Sequence, residues 1–294
     1  MTIPKKIISK HMINKLKKWV VNSGLFKNHK FLPVAPDDVR SLKNDPRLLN
    51  YTNKQSILID AKITHGRIAQ IFALDYKVNP FVRTIREALK SEHDSREEVI
   101  FGYLNEYYSA VQPKNGLDWY GLKNEDAPQL ENLKAWMVPT PWSYRSVEET
   151  TKNVKKWLSE DNYQIHKSVT IDDGFTFFGP VSDVKIEIES KRYAKLLESI
   201  EKKGYNRSNE SDGDIEGGIL INSNNDWRII VNGGQHRAIV LAALGYETIP
   251  VRVSRNVYEA EVNYWPNVIS GLYTKKGALK LFRTIFDGDA SYLT

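Results

Sequence analysis

The stretch that most constrains the fold runs from Trp227 to Val253 and reads WRIIVNGGQHRAIVLAALGYETIPVRV. An apolar run predicts a strand, two glycines predict a tight turn, and a second apolar run predicts a helix followed by another strand. The helix body, Ala238 to Leu244, is apolar nearly all round and is therefore expected to be buried. Its burial would fix the start of the helix rigidly at the end of the preceding strand.

The turn places unusual side chains at the head of this helix. Gly233 and Gly234 permit a tight turn and a close backbone approach. The first N–H groups of a helix have no intrahelical partner, and the helix dipole is positive there. With His236 and Arg237 in that first turn, the site suits an anion, above all a phosphate. The alternative is structural: Arg237 pairs with a nearby carboxylate, and His236 caps a turn.

Composition narrows the class of protein. A chain of 294 residues can hold two modest domains or one elaborated domain, and 41% hydrophobic with 27% charged residues is typical of soluble globular proteins. The absence of cysteine excludes disulfides, a thiolate nucleophile and Cys-ligated zinc. No apolar run is long enough for a transmembrane helix, and no secretory signal is evident. We therefore expect a cytoplasmic protein, at most peripheral on the inner membrane face.

Residues 1–30 are predicted to be a basic arm. They hold eight lysines and no Asp or Glu, whereas the other 264 residues carry 34 basic and 36 acidic side chains. Within the arm, residues 5–21 predict an amphipathic helix with Ile8, Met12 and Leu16 on one side. Such a helix can lie on an anionic membrane surface, or it can dock on the protein with its lysines in solvent. The pattern alone does not separate these alternatives.

Residues 31–170 are predicted to be a mainly helical accessory region. QSILIDAKI predicts a short strand, and helices are predicted at NPFVRTIREALK, SREEVIFGYLNEYYSAV and VEETTKNVKKWLSE. Ser146 and Glu149 form a capping-box pattern at the start of the last helix. The aromatic, proline-broken segment WMVPTPW either walls a pocket or staples one domain to the next.

Residues 171–294 are predicted to be a second, mixed domain, which makes the fold class α+β. FTFFGPVSDVKIEI is strand-like, SKRYAKLLESIEKKG predicts a helix that ends at Gly204, and ILIN with WRIIV predicts a hairpin. The polar segment NRSNESDGDIEGG predicts a loop with the composition of a mobile lid.

The segment GGQHRAIVLAALGYETIP resembles the GxHR-type signature of the ParB/sulfiredoxin superfamily, and the resemblance covers roughly residues 175–257. It implies a nucleotide-binding domain whose phosphate turn comprises Gly233, Gly234, Gln235, His236 and Arg237. Sulfiredoxins place a catalytic cysteine where this chain has Gln235, so their chemistry is excluded. Too few residues follow Val253 for a helix-turn-helix, so no sequence-specific DNA binding is expected.

Free-serine kinases belong to the same superfamily, and the resemblance implies a catalytic carboxylate near the start of the preceding helix. Strand alternation would put Glu187 and Glu189 on one face, and Glu189 is the preferred general base. The alternative is that both glutamates face solvent. Arg192, in the next helix, either holds an anionic acceptor or faces water. The resemblance further implies Mg²⁺ with ATP or another nucleotide, with Asp183 or an acid of SDGDIEGG near the metal.

The leading functional hypothesis is a nucleotide-dependent phosphotransferase acting on a small hydroxylated acceptor. PTPWS, GPVS and WPNV resemble segments of ParB-like proteins of bacterial surface-polysaccharide clusters, which implies a sugar or glycolipid acceptor. The rival is a non-catalytic nucleotide-binding switch or partner-binding protein. A ParB-like nuclease ranks last, because the six histidines show no close metal-ligand spacing.

Overall fold

The computed structural model describes residues 36–163, 169–207 and 214–293, with side chains described up to residue 160 in the first range. The basic arm with its predicted amphipathic helix lies outside the described residues, as do residues 208–213 of the predicted lid. The described chain is a mixed α/β fold built on one seven-stranded mixed sheet, with strand order β1-β2-β7-β5-β6-β3-β4.

The sheet combines strands from both ends of the described chain. Its strands are β1 (Asp37–Asp38), β2 (Ile57–Lys62), β3 (Gly66–Ile68), β4 (Phe72–Ala73), β5 (Ile215–Ile221), β6 (Trp227–Gly233) and β7 (Thr248–Tyr258). β2 pairs antiparallel with β7, and β3 pairs parallel with β6. β5 lies between β7, to which it is parallel, and β6, to which it is antiparallel. The predicted hairpin of ILIN with WRIIV is therefore confirmed.

Eight α-helices occur in the described ranges. They are α1 (Pro80–Leu89), α2 (Arg96–Ala110), α3 (Gly116–Tyr120), α4 (Val147–Tyr163), α5 (Asp183–Lys203), α6 (Gln235–Ala243), α7 (Pro266–Ile269) and α8 (Lys275–Asp287). The predicted capping box starts α4, since the Ser146 N–H donates to Glu149 Oε2 at 2.9 Å and the Glu149 N–H donates to Ser146 Oγ at 3.2 Å. None of the described helices is long and apolar enough to cross a bilayer.

The predicted boundary between residues 170 and 171 does not separate two sheets. Residues 57–73, from the predicted accessory region, supply β2, β3 and β4, whereas β5 to β7 come from the predicted second domain. Residues 36–294 accordingly form one compact unit. The sequence predicted β2, β5, β6 and β7, but it predicted neither the short strands β1, β3 and β4 nor the pairing of strands far apart in the chain.

The prediction of a strand through residues 183–188 is wrong, because α5 begins at Asp183. Ser182 caps this helix, its Oγ accepting a hydrogen bond from the Lys185 N–H at 3.4 Å. The helix extends the one predicted at SKRYAKLL and ends at Gly204, whose φ is 69°. Ile186 and Tyr193 are buried on one side of this helix, and Ile188, two residues from Ile186, is buried on a different side. The segment V-K-I-E-I-E alternates with the period of two that is typical of a strand, but its two isoleucines are buried by a helix.

Candidate functional site

A cleft of about 980 Å³ opens at the head of helix α6. Gly234, Gln235 and His236 line it at this end, and residues of β5, β6 and β7 line its sheet side. Ring side chains form much of the rest of its wall: Trp119, Trp136, Trp142, Trp157, Phe175 and Phe178. Polar side chains line the cleft as extensively as apolar ones, and its size is usual for a small-molecule site.

The two glycines form the turn that the sequence predicted. Gly234 has a left-handed φ of 72°, and a Cβ there would lie 3.0 Å from Arg237 Nη2 and 3.3 Å from the Ile215 Cα. Helix α6 then begins at Gln235, and the Ala238 N–H donates to the Gly234 carbonyl at 3.0 Å. The helix body is buried, as its sequence required. The turn therefore places Gln235 and His236 at the wall of the cleft.

His236 is bound to Glu189 across the interface of α5 and α6. Its Nε2 lies 2.7 Å from Glu189 Oε2. Glu189 is wholly buried, and its carboxylate also accepts from Arg192 Nη1 at 3.1 and 3.2 Å, with Lys185 Nζ 3.5 Å away. The Tyr193 ring packs against the imidazole with a centroid distance of 4.8 Å. The structure thus brings together three of the predicted site residues, Glu189, Arg192 and His236.

Electrostatics keep the buried Glu189 ionised. Burial alone raises the pKa of this carboxyl, but the nearby charges of His236, Arg192 and Lys185 outweigh burial and lower the pKa to about 2. The carboxylate lies behind His236 and is not on the cleft surface. It is therefore placed to orient the imidazole, whereas the imidazole is the group that a ligand can reach.

Glu187 and Glu189, which the strand prediction placed on one face, lie on different sides of helix α5. Because they are two residues apart on a helix, Glu187 and Glu189 point roughly 200° apart around its axis. Glu187 is exposed and lies 3.8 Å from Lys191 Nζ, whereas Glu189 is inside. Only one of the two can therefore belong to a site, and the error follows directly from mistaking the helix for a strand.

Arg237 and Arg192 are engaged within the protein. Arg237 is not among the residues that line the cleft, and its Nη2 donates to the Asp214 carbonyl at 3.4 Å, at the start of β5. Arg192 pairs with Glu189. The predicted phosphate turn is therefore divided, with Gln235 and His236 facing the cleft and Arg237 directed toward the segment that precedes β5.

The WMVPTPW segment lines the cleft, as one of its two alternatives predicted, and it also packs against the C-terminal helices of the same compact unit. Trp136 and Trp142 line the cleft. Trp142 also packs edge-on against Trp265, with ring centroids 5.3 Å apart, and against Phe282 at 5.9 Å. The segment therefore walls the cleft on one side and fastens it to the C-terminal helices on the other.

Two cleft residues, Gln70 and Thr176, had no signal in the sequence. Gln70 lies in the turn between β3 and β4, where Ala69 and Gln70 have left-handed φ values of 52° and 69° without being glycine. Thr176 is 3% exposed and lies in the irregular aromatic segment before α5. Neither residue belongs to a recognisable motif, because only the folded chain brings them to the cleft.

The described residues contain no group of three or more His, Asp or Glu side chains arranged to hold a metal ion. Asp183 is exposed at the start of α5 and does not line the cleft, and the Asp214 carboxylate pairs with Arg207. Neither Asp183 nor Asp214 lines the cleft, and Asp212 of the same segment lies outside the described residues, so Mg²⁺ binding by these acids stays a prediction.

No family model matches this chain, and no curated protein or solved structure matches it either. The candidate function therefore rests on the geometry of the cleft and on the residues of the predicted phosphate turn.

Proposed function

We propose that this protein is a nucleotide-dependent phosphotransferase that acts on a small hydroxylated acceptor. The observation that carries the proposal is the position of His236, which lines the cleft at the head of α6 while the buried, ionised Glu189 holds its Nε2. A carboxylate behind a histidine that faces a cleft is a recurrent arrangement for general base catalysis. The resemblance of GGQHR to the ParB/sulfiredoxin phosphate turn supports the same assignment.

The hydrogen bond between Glu189 and His236 defines which imidazole nitrogen can take up a proton. When the imidazole is neutral, the carboxylate of Glu189 keeps the proton on Nε2 and leaves Nδ1 as the acceptor nitrogen. Nδ1 makes no hydrogen bond to any described residue. In the proposed step, the acceptor hydroxyl oxygen attacks the terminal phosphorus and its proton passes to His236 Nδ1, while the nucleoside diphosphate leaves with the electrons of the broken bond. Glu189 is then a positioning residue, and the base is His236.

The rest of the cleft suits an anionic ligand that carries rings. Among the described lining residues, Arg145 and Arg255 are positive, and Glu160 is the carboxylate. The positive end of the α6 dipole adds to this balance. A divalent cation would be held through the nucleotide's own phosphate oxygens. The tryptophan faces provide apolar surface for a nucleobase or for the ring of a sugar or glycolipid acceptor, the acceptor class that the polysaccharide-cluster resemblance implies.

The first prediction concerns His236. His236→Asn removes the base, so we expect transfer to fall about 10²–10⁴-fold while nucleotide affinity changes little. The measurement is phosphate transfer by ³¹P NMR, with a panel of nucleotides, Mg²⁺ and pooled sugars and amino acids as acceptors. His93→Asn is the matched control, since His93 is exposed on the surface and does not line the cleft.

A second variant tests the role of the cleft and leaves His236 and Glu189 unchanged. Gly218 lines the cleft from β5, and a Cβ there meets nothing closer than 3.7 Å, so Gly218→Leu fills the cleft while the sheet is kept. It is expected to abolish binding and transfer together. Unchanged transfer in both His236→Asn and Gly218→Leu would overturn the proposal. Nucleotide binding without transfer to any acceptor would favour the nucleotide-binding switch.

A further inference from the structure

The turn between β3 and β4 is tied to the head of helix α6. The Ala69 N–H donates a hydrogen bond to Gln235 Oε1 at 3.0 Å. Gln70, the next residue, accepts a hydrogen bond from the Tyr120 hydroxyl at its own Oε1. Both glutamines line the cleft and are partly exposed there. Two side-chain amides from distant parts of the chain are therefore neighbours at the same end of the cleft.

The hydrogen bonds of the two amides indicate which end of each faces the ligand. A backbone N–H can only donate, so the side-chain oxygen of Gln235 must face Ala69 and its NH₂ group must face elsewhere. A hydroxyl can donate or accept, and in the structure the Tyr120 hydroxyl donates to the Gln70 oxygen, which leaves the Gln70 NH₂ group for another partner. Neither NH₂ group makes a hydrogen bond to any described residue. Both glutamines therefore have their NH₂ donors left for a ligand at this end of the cleft.

A third donor lies in the same cleft. Thr176 is 3% exposed and lines the cleft, and within the described ranges its buried Oγ1 has no hydrogen-bond partner. The Thr176 carbonyl accepts a hydrogen bond from the Tyr108 hydroxyl at 2.7 Å. The pKa of Tyr108 is raised mainly by burial and also by the nearby carboxylate of Glu189. A buried hydroxyl without a partner is costly unless a ligand or water completes it.

We propose that Gln70 and Gln235 form the anion-binding end of the cleft and hold the phosphate oxygens of the ligand, with the Thr176 hydroxyl as a further donor within the same cleft. Naming the anion as phosphate rests on the proposed function; the donor geometry does not. Anionic oxygens accept hydrogen bonds from such donors strongly, and the head of a helix adds to their stabilisation. This assigns to Gln70 and Thr176 a binding role, and it moves the main phosphate contacts from Arg237 to the two glutamines.

Glutamate substitutions separate the structural bond from the ligand bond. In Gln70→Glu and Gln235→Glu, a carboxylate oxygen still accepts from Tyr120 or Ala69, but the NH₂ donor is gone. We therefore expect melting temperatures close to wild type and affinities at least about tenfold weaker for ATP, pyrophosphate and inorganic phosphate, measured by calorimetry. Gln55→Glu, on an exposed residue that does not line the cleft, is the matched charge control.

Neutral variants separate the lost donor from the added charge. Gln70→Met also lacks the NH₂ group, so it must weaken phosphate binding at a temperature where the variant is folded. Retained affinity in Gln70→Met, or wild-type affinity in both glutamate variants, would overturn the inference. If both variants transfer phosphate and bind ATP as wild type does, this inference fails and the proposed function stands. If wild type binds inorganic phosphate through the glutamines but binds no nucleotide, the inference stands and the proposed function fails.

Discussion

Glu189 and Arg67 are both buried charges, and the protein compensates them in different ways. Glu189 lies against the side-chain cations of Arg192 and Lys185 and is hydrogen-bonded to the imidazole of His236. Arg67 is 2% exposed, and its guanidinium donates to four backbone carbonyls, those of Thr64, Gly66, Ile285 and Phe286. One centre is therefore an ion cluster, whereas the other is a cation held by neutral carbonyl groups.

The difference indicates what each centre can do. Two of the carbonyls bound to Arg67 belong to the last turn of α8, where the helix dipole is negative, so the cation fastens β3 to the end of that helix. Burial, followed by the charge of Arg228, lowers the pKa of Arg67 to about 10, which leaves it charged at neutral pH. The partners of Glu189 are side chains, and one of them, His236, reaches the cleft. We infer that Arg67 has a structural role, whereas the Glu189 cluster reaches the cleft, through His236.

The largest effect on stability is expected from Glu189→Gln. Neutralising the carboxylate removes the charge that Glu189 sets against the wholly buried Lys185 and the partly buried Arg192, and breaking a buried ion pair typically costs about 3–5 kcal/mol of unfolding free energy. Denaturant unfolding measures the loss. Glu187→Gln, on the exposed side of the same helix, is the control and should change stability by no more than about 0.5 kcal/mol. Equal stability of the two variants would show that the cluster is solvated.

A smaller loss is expected from Arg67→Met. Methionine fills part of the volume but removes the guanidinium donor from four carbonyl groups, of which that of Gly66 still accepts from the Leu74 N–H. Each buried group left unsatisfied costs about 1–3 kcal/mol before the structure relaxes. We expect a net loss of about 2–3 kcal/mol, with nucleotide affinity unchanged. Arg83→Met, at an exposed position of α1, serves as the control. A loss of nucleotide affinity in Arg67→Met would contradict the separation of the two centres.

The smallest effect is a difference in acid stability. The folded-state pKa of Glu189, about 2, lies below the ordinary value of 4.5, so its contribution to stability is fully present above about pH 5. That contribution is lost as the pH falls from about 5 through 2, because the folded state must then take up the proton. The stability gap between wild type and Glu189→Gln should therefore narrow over this range. A gap that stays constant down to pH 2 would contradict the lowered pKa.

Much of the local structure could be predicted from the sequence. The strand at Ile57–Lys62, the helices that begin at Pro80 and Val147 and the hairpin of β5 and β6 follow from apolar period, proline position and capping residues. The failure at residues 183–188 has an equally local cause. V-K-I-E-I-E alternates as a strand does, and only the apolar residues further along, Tyr193 and Leu197, carry the helical period.

The candidate site could be predicted only in part. The position of His236 at the head of a buried helix follows from Gly234 and the apolar run after it. The direction of Arg237 does not, because side chains in the first turn of a helix point to different sides and neighbouring segments decide which side is the cleft. Gln70 has no signal at all, since its left-handed turn contains no glycine.

By itself, the sequence determined the strand, the glycine turn and the buried helix, because backbone torsions and apolar period act between near neighbours. Only the tertiary structure decided that His236 meets Glu189, 47 residues earlier, and that Gln235 meets the turn at Ala69, 166 residues earlier. These contacts depend on how α5 and β3 pack beside α6. Local patterns encode which face of an element is buried, but they do not encode which other element covers it.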